Sequence, residues 1–316
     1  MAISLLNRVF RRAHTGWSAI AIGNGGVGLA QVEFTGGMPR VVQCGFHPMP
    51  KVNSAALEKL ASEYRLGRLP VTTLLATTEY QIMPVEAPNV PADELNSAIR
   101  WLIKDGLNFD VDAVTLDVIR IPSGQSREGQ GQSYYAVAAP NDIIAKRTVL
   151  LEGARIPLRV IDVPEMAQRN LAALYEVAGE AVMLLIADST GTALTVSSGG
   201  ELYLSRHIAV GEYQLDDGNT YQRQLAWDAL AREAQRSLEY FERQFELKIG
   251  KVLISLRSEL YGREMLEEQL AIPVERVRLA DVLDISAVAT RLSNPEFAAS
   301  MLLLIGAALR QERRVP

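Results

Sequence analysis

The chain has 316 residues, more than one ordinary core holds, which predicts two lobes or a domain carrying an insertion. Hydrophobic residues at 48% and charged residues at 22% fit a soluble globular protein, and a net charge of −5 gives no footing for nucleic-acid binding. One cysteine, Cys44, excludes an intrachain disulfide, and His14, His47 and His207 lack the i,i+4 spacing that would favour a metal site.

The N-terminal stretch MAISLLNRVFRRAH places Arg8, Arg11 and Arg12 before the first acidic residue, Glu33. Its charges follow the apolar part, unlike those of a cleavable signal. Ile3, Leu6 and Phe10 share one helical face, so the segment suits an anionic membrane surface, a helix packed on its own domain, or a frayed basic tail. The longest apolar run, Phe297–Leu309, is too short to cross a bilayer.

AIAIGNGGVGLAQVEF follows, and Gly23 to Gly28 spell GxGxxG. That fingerprint has meaning only between a strand and a helix. WSAIAI supplies the strand, but Gly36-Gly37 then sits between two further strand-like runs, as in a hairpin. A dinucleotide site is therefore not expected. Cys44 falls in the third strand, where a buried small hydrophobe is the natural reading.

The segment PADELNSAIRWLIKDGL puts Leu95, Ala98, Ile99, Leu102 and Ile103 on one helical stripe. Trp101 projects about 120° or more from it. Two readings of Trp101 stay open: an anchor for a partner, or a ring packed on the adjoining sheet. The strands AVTLDVIRIP and SYYAVAAP, the helix NDIIAKRTVLLEGA and the strand PLRVIDV come next, predicting a small α/β insertion of about seventy residues. At Leu184–His207 the opening pattern returns, with Gly199-Gly200 as its turn, so the two halves read as related lobes.

The second half predicts a long helix over Gln222–Phe245 supported by Asp228–Arg232 and Glu239–Arg243 pairs. A strand, KVLISL, and a helix, ELYGREMLEEQL, follow. The last helix opens with Asn294 as N-cap and Pro295 at its first position, and is apolar around most of its circumference, as for burial between layers.

Two lobes with duplicated units and an insertion in the first resemble the actin-like ATPase fold. VPADELNSAIRWLIKDGLNFDVDAVTLDV, VIDVPEMAQRNLAAL, LAREAQRSLEYFERQF and the terminal IGAALR look like the type IV pilus assembly family of PilM. They look more like its relative MshI of mannose-sensitive haemagglutinin (MSHA) pili, and the resemblance runs from about Gly16 to Arg310. The cytoplasmic domain of the secretion protein GspL is a more distant cousin. The resemblance implies an α/β, two-lobed, PilM/FtsA-like fold. Its parts would be a basic segment 1–15, a first lobe 16–83, an inserted α/β subdomain 84–160, a return to the first lobe 161–180, a second lobe 181–293 and a terminal helix 294–316 on the first lobe.

The resemblance also implies a cytoplasmic adaptor, peripheral to the inner membrane. It would bind the N-terminal peptide of a PilN-like membrane protein, where insertion meets first lobe, and link to the pilus assembly ATPase complex. Trp101 is the residue expected to anchor that peptide. Arg8, Arg11 and Arg12 with Arg310, Arg313 and Arg314 would form one basic face towards anionic lipid.

In this fold ATP lies between two phosphate loops and an adenosine loop. The family's first loop is Asp-Ile-Gly with a Lys beyond; here Ala21 and Gly28 stand in for the Asp and the Lys. Backbone N–H groups of Gly23, Asn24, Gly25 and Gly26 remain for a phosphate, without charge. The second loop keeps Asp188, Ser189, Thr190, Gly191 and Thr192, whose plainer use is a polar loop capped by Asp188. The adenosine loop shows Arg257 and Glu259 where glycines belong. The expected protein is a pseudo-ATPase with no catalytic residue, no metal and at most weak ATP·Mg²⁺ binding. The alternatives are an active actin-like ATPase, with Asp188 orienting water, or a filament former.

Overall fold

The computed structural model describes residues 16–311 except 24, 89, 92–93, 124–131 and 258. The basic segment 1–15, Asn24, Arg313 and Arg314 lie outside the described residues.

The first lobe opens as a meander of β1 (Gly16–Gly23), β2 (Gly26–Glu33) and β3 (Arg40–Pro48), followed by α1 (Ser54–Glu63) and β4 (Val71–Leu74). The insertion is β5 (Gln81–Ala87), α2 (Leu95–Ile103), β6 (Val114–Arg120) and β7 (Gln132–Pro140). Then come α3 (Asn141–Gly153), β8 (Leu158–Asp162) and α4 (Pro164–Ala172). The second lobe repeats the meander as β9 (Glu180–Ala187), β10 (Thr192–Ser198) and β11 (Glu201–Ile208), with α5 (Glu212–Leu215), α6 (Thr220–Phe245), β12 (Lys248–Ser255), α7 (Arg263–Leu270) and β13 (Val274–Arg276). Two helices close the chain, α8 (Ala289–Leu292) and α9 (Pro295–Ala308).

The sheets run β3-β2-β1-β4-β8 and β11-β10-β9-β12-β13, so each is an antiparallel meander extended by two parallel strands. Helices α4 and α9 lie between them in one apolar core that draws Ala19, Ala30 and Leu74 from the first sheet and Leu184, Ile186 and Leu253 from the second. That position explains why α9 is apolar nearly all round: it meets a layer on each side. Asn294 caps it by accepting the Phe297 N–H at 3.0 Å. Helices α6 and α7 cover the outer face of the second sheet, α1 and α3 that of the first. Cys44 is fully buried, and burial pushes its thiol up to about 11 against the lowering field of Arg291.

Some expectations change. Strand β8 pairs with β4 and α3 packs on α1, so both belong to the first lobe; the inserted sheet itself is β5-β7-β6 with α2. The reason is topological: β4 and β8 are parallel neighbours, and parallel neighbours need a helical crossover. In α6 the ion pair formed is Glu233–Arg236 at 2.6 Å, and Gln235 donates to Glu239 at 2.9 Å. Among the described residues Asp228–Arg232 and Glu239–Arg243 form no ion pair. Gly36-Gly37 is part of a six-residue reversal with only Gly36 at positive φ, whereas Gly199 (60°) and Gly200 (69°) form a two-residue turn closed by Ser198 and Glu201. Arg310 folds back: its Nη1 donates to buried Asp162 at 2.7 Å and its guanidinium lies 5.8 Å from the Trp17 ring, so its charge is spent within the first lobe.

Polar contacts fasten the insertion to both lobes. Arg147 is buried and its Nη2 donates to both Glu79 oxygens at 2.8 Å, a charge-assisted contact at the foot of the insertion. Tyr135, on β7, accepts the Ser205 N–H at 2.8 Å and donates to the Tyr203 carbonyl at 3.4 Å, capping the edge of β11.

Candidate functional site

The first hairpin is tight. Gly23 and Gly26 are the last paired residues of the β1–β2 ladder, and only Asn24 and Gly25 (φ 92°) lie between them. Asn-Gly favours such a two-residue reversal. A Cβ at Gly26 would meet the His47 carbonyl at 2.4 Å, while Gly23 and Gly25 face open space.

The neighbouring pair matters more. Ala21 and Gly28 are directly paired across β1 and β2. Directly paired residues point to the same face of a sheet. That face carries α9: a Cβ at Gly28 would lie 2.5 Å from Leu304 Cδ1, and Ala21 packs against the core that holds Leu304. Where the family resemblance places an acid and a lysine, this chain seats a leucine from its last helix.

The second hairpin keeps polar groups and turns them inward. Asp188 Oδ1 accepts the Thr190 N–H at 2.7 Å, the Thr190 hydroxyl at 2.6 Å and the Gly191 N–H at 3.2 Å. The Thr192 hydroxyl donates to the Val210 carbonyl at 2.6 Å. Ser189 is exposed. The loop is shaped by its own carboxylate, in the manner of an Asx turn. Gly191 is required: its φ is 156° and a Cβ would meet the His207 ring at 2.5 Å.

The third segment is braced from the same side. The Arg257 N–H donates to Glu212 Oε1, its Nε stands 3.6 Å from Glu212 Oε2, and the Glu212 N–H donates to the Asp188 carbonyl at 2.8 Å. Gly262 exists for packing, since a Cβ there would run into the ring of buried Trp227. Among the described residues no group of three or more His, Cys, Asp or Glu is placed to hold a metal.

Trp101 lies elsewhere. Helix α2 packs on the inserted sheet through Ile99 and Ile103, together with Ala136, Ala138 and Val114. The opposite face of that sheet meets the first lobe through Tyr135, Val163 and Met166. Trp101 thus stands on the outer face of the insertion, away from the junction where the sequence places the docking site. It is 75% exposed, with Lys104 Nζ 5.4 Å from its ring. The reading of Trp101 as packed on the sheet does not hold. Leu102, expected on the core stripe, is 53% exposed. A nine-residue helix over a three-stranded sheet has a narrow contact line, and residues 60° from it reach water.

One feature gives no local signal in the sequence. A groove of about 420 Å³ opens where β12 ends at Ser255, between Leu256, Arg276, Leu279, Leu292 and Leu302. Residues far apart in the chain form it, so no periodicity announces it. The described residues contain no helix long and apolar enough to cross a membrane.

No protein-family profile matches the chain, and no curated protein sequence matches it. Among solved structures it is similar to the PilM–PilN type IV pilus biogenesis complex, with a TM-score of 0.65 and 22% identity over 93% of this chain and 99% of that one. It is also similar to the cytoplasmic domain of EpsL, an inner membrane component of the type II secretion system of Vibrio cholerae (0.48, 13%, 94% and 96%). A third is a protein of unknown function with an actin-like ATPase fold from Bacteroides thetaiotaomicron (0.45, 10%, 89% and 98%). The chain has the two-lobed actin-like ATPase fold.

Proposed function

We propose that this protein is a cytoplasmic, membrane-peripheral adaptor of type IV pilus assembly, of the MSHA type. It binds the cytoplasmic N-terminal peptide of a PilN-like inner-membrane protein and links it to the assembly ATPase, and its nucleotide site is degenerate. The likeness along nearly the whole of both chains to the protein of the PilM–PilN complex carries this reading. Two local observations support it. Leu304 occupies the space above Ala21 and Gly28, which leaves the first phosphate loop without an acid or a lysine. Trp101 stands uncovered on the insertion, and a large aromatic outside any core is a frequent anchor for a partner.

Calorimetry with the cognate PilN-like peptide tests the reading, with Trp101→Ala beside the native chain. Truncation should cost about 2 kcal/mol or more in affinity and leave the melting temperature almost unchanged, because the ring contributes little to any core. Peptide binding unaffected by Trp101→Ala would remove the docking site from α2. ATP·Mg²⁺ should give no measurable heat; micromolar binding lost in Asp188→Ala would replace the adaptor reading with a working ATPase.

A further inference from the structure

The antiparallel edge strand of each large sheet is closed by the other lobe. On one flank the closure is backbone. The Val41 N–H of β3 donates to the Asp284 carbonyl at 2.9 Å, the Asp284 N–H donates to the Pro39 carbonyl at 2.9 Å, and Arg40 Nε stands 3.4 Å from Asp284. Asp284 lies beyond β13, on the chain that returns from the second lobe to α9. On the other flank the closure is a side chain. Tyr135 reaches β11 from the central strand of the inserted sheet; its hydroxyl accepts the Ser205 N–H at 2.8 Å and donates to the Tyr203 carbonyl at 3.4 Å. Burial pushes this phenol up to about 12, so it stays neutral and can accept and donate at once.

Around that hydroxyl three parts of the molecule share one apolar cluster: Val163 and Met166 from the first lobe, Ile121 and Tyr135 from the insertion, Leu202 and Phe245 from the second lobe. The two attachments of the insertion differ in kind. To the first lobe it is joined by both chain connections and by polar bonds, with the Tyr80 hydroxyl on Glu165 at 2.7 Å, Arg147 on Glu79 at 2.8 Å and the Thr115 hydroxyl on Asn141 at 2.8 Å. Its grip on the second lobe centres on the phenol, Leu202 and Phe245. We propose that the insertion is a clasp: an arm of the first lobe that holds β11 through Tyr135 and fixes the spacing of the lobes, and whose release lets the second lobe swing. A side-chain contact breaks without unpairing any strand, whereas the Val41–Asp284 bridge yields only if the chain itself moves, so the Tyr135 flank is the one that opens. The pivot is the core between the sheets, where Thr195 of β10 stays bonded to Gln168 of α4 at 3.0 Å. The clasp is independent of what seats on α2.

Tyr135→Phe removes the hydroxyl and keeps the ring, so the circular dichroism spectrum should not change. Cys44 is fully buried, so spin labels select cysteines introduced at exposed positions. Ser62→Cys on α1, Asp117→Cys on β6 and Arg232→Cys on α6, taken in pairs, report on the first lobe, the insertion and the second lobe. Electron–electron double resonance should give three narrow distance distributions in the native chain. In Tyr135→Phe the two that end on residue 232 should broaden, while the distribution between residues 62 and 117 stays narrow. Hydrogen exchange at the Ser205 amide, slow in the native chain, should speed up about tenfold, as for the loss of one net hydrogen bond of ordinary strength. Unchanged distributions to residue 232 overturn the proposal. So does broadening of all three, which makes Tyr135 a plain core residue whose loss loosens the whole molecule. The native chain alone can also refute it, even if the variant fails to fold: a Ser205 amide that exchanges as fast as an open strand edge means that the clasp is not closed in solution.

Discussion

The two lobes begin with the same strand–loop–strand unit and use it differently. In the first, the β1–β2 ladder closes on two residues and offers α9 a pair of minimal side chains, Ala21 and Gly28. In the second, the equivalent ladder stops at Ala187 and Thr192 and leaves a four-residue polar loop wound around Asp188. The first hairpin packs on the core between the sheets, whereas the second turns its carboxylate onto its own backbone. One backbone shape thus serves two different surroundings. What decides the difference is packing from a helix at the far end of the chain.

A lysine placed at Gly28 breaks the comparison most severely. Gly28→Lys puts a Cβ within 2.5 Å of Leu304 and forces either a shift of α9 or a buried ammonium, at a cost of about 3 kcal/mol or more. Urea unfolding reads the loss. Adding Leu304→Ala should recover part of it, because the two changes share one space and are not additive. If Gly28→Lys folds like the native chain and binds ATP·Mg²⁺, the first hairpin is one side chain short of a site and the comparison falls.

Asp188→Ala tests the second loop. Three hydrogen bonds go, but the Thr190 groups are exposed and water replaces them, so the cost should be about 1 kcal/mol. Asp188→Asn keeps the Oδ1 acceptor and should retain most of the stability. A loop held open for a ligand behaves otherwise: its carboxylate serves ATP·Mg²⁺ rather than its own backbone, and Asp188→Asn would abolish ATP·Mg²⁺ binding. Isothermal titration of both variants separates these outcomes.

Much of this was legible in the sequence. Alternation gave the meanders of both lobes, and the Asn294-Pro295 start with its apolar run gave α9 and its burial. Ala21 and Gly28 stood out as small residues in the first unit, but not the neighbour that meets them, because Leu304 is remote in sequence. The same holds for β8, whose partner β4 lies across the whole insertion, and for Tyr135, which caps a strand of the other lobe. Arg310 looked like part of a basic tail because a charge run shows no partner until the fold brings Asp162 to it. Local pattern carries elements; contacts between distant residues carry sites.

The smallest expected effect sharpens the comparison at the other end of each meander, where the sequence shows two identical glycine pairs. Gly199 lies at φ 60° with nothing within 4 Å of an added Cβ, so the cost of Gly199→Ala is purely conformational, about 1 kcal/mol for an L-residue in the left-handed region. Gly37 also has open space around it but does not adopt positive φ. Gly37→Ala should then be neutral or stabilise by up to about 0.5 kcal/mol, since alanine narrows the unfolded ensemble without straining the folded one. Both are surface changes in loops, so neither should alter the slope of urea unfolding, and the shifts in midpoint compare directly. Opposite signs would establish that the second turn needs its glycines while the first has slack from its longer reversal. Equal losses at both positions would mean that the two turns are conformationally alike, and that the lobes differ only at the other end of each meander.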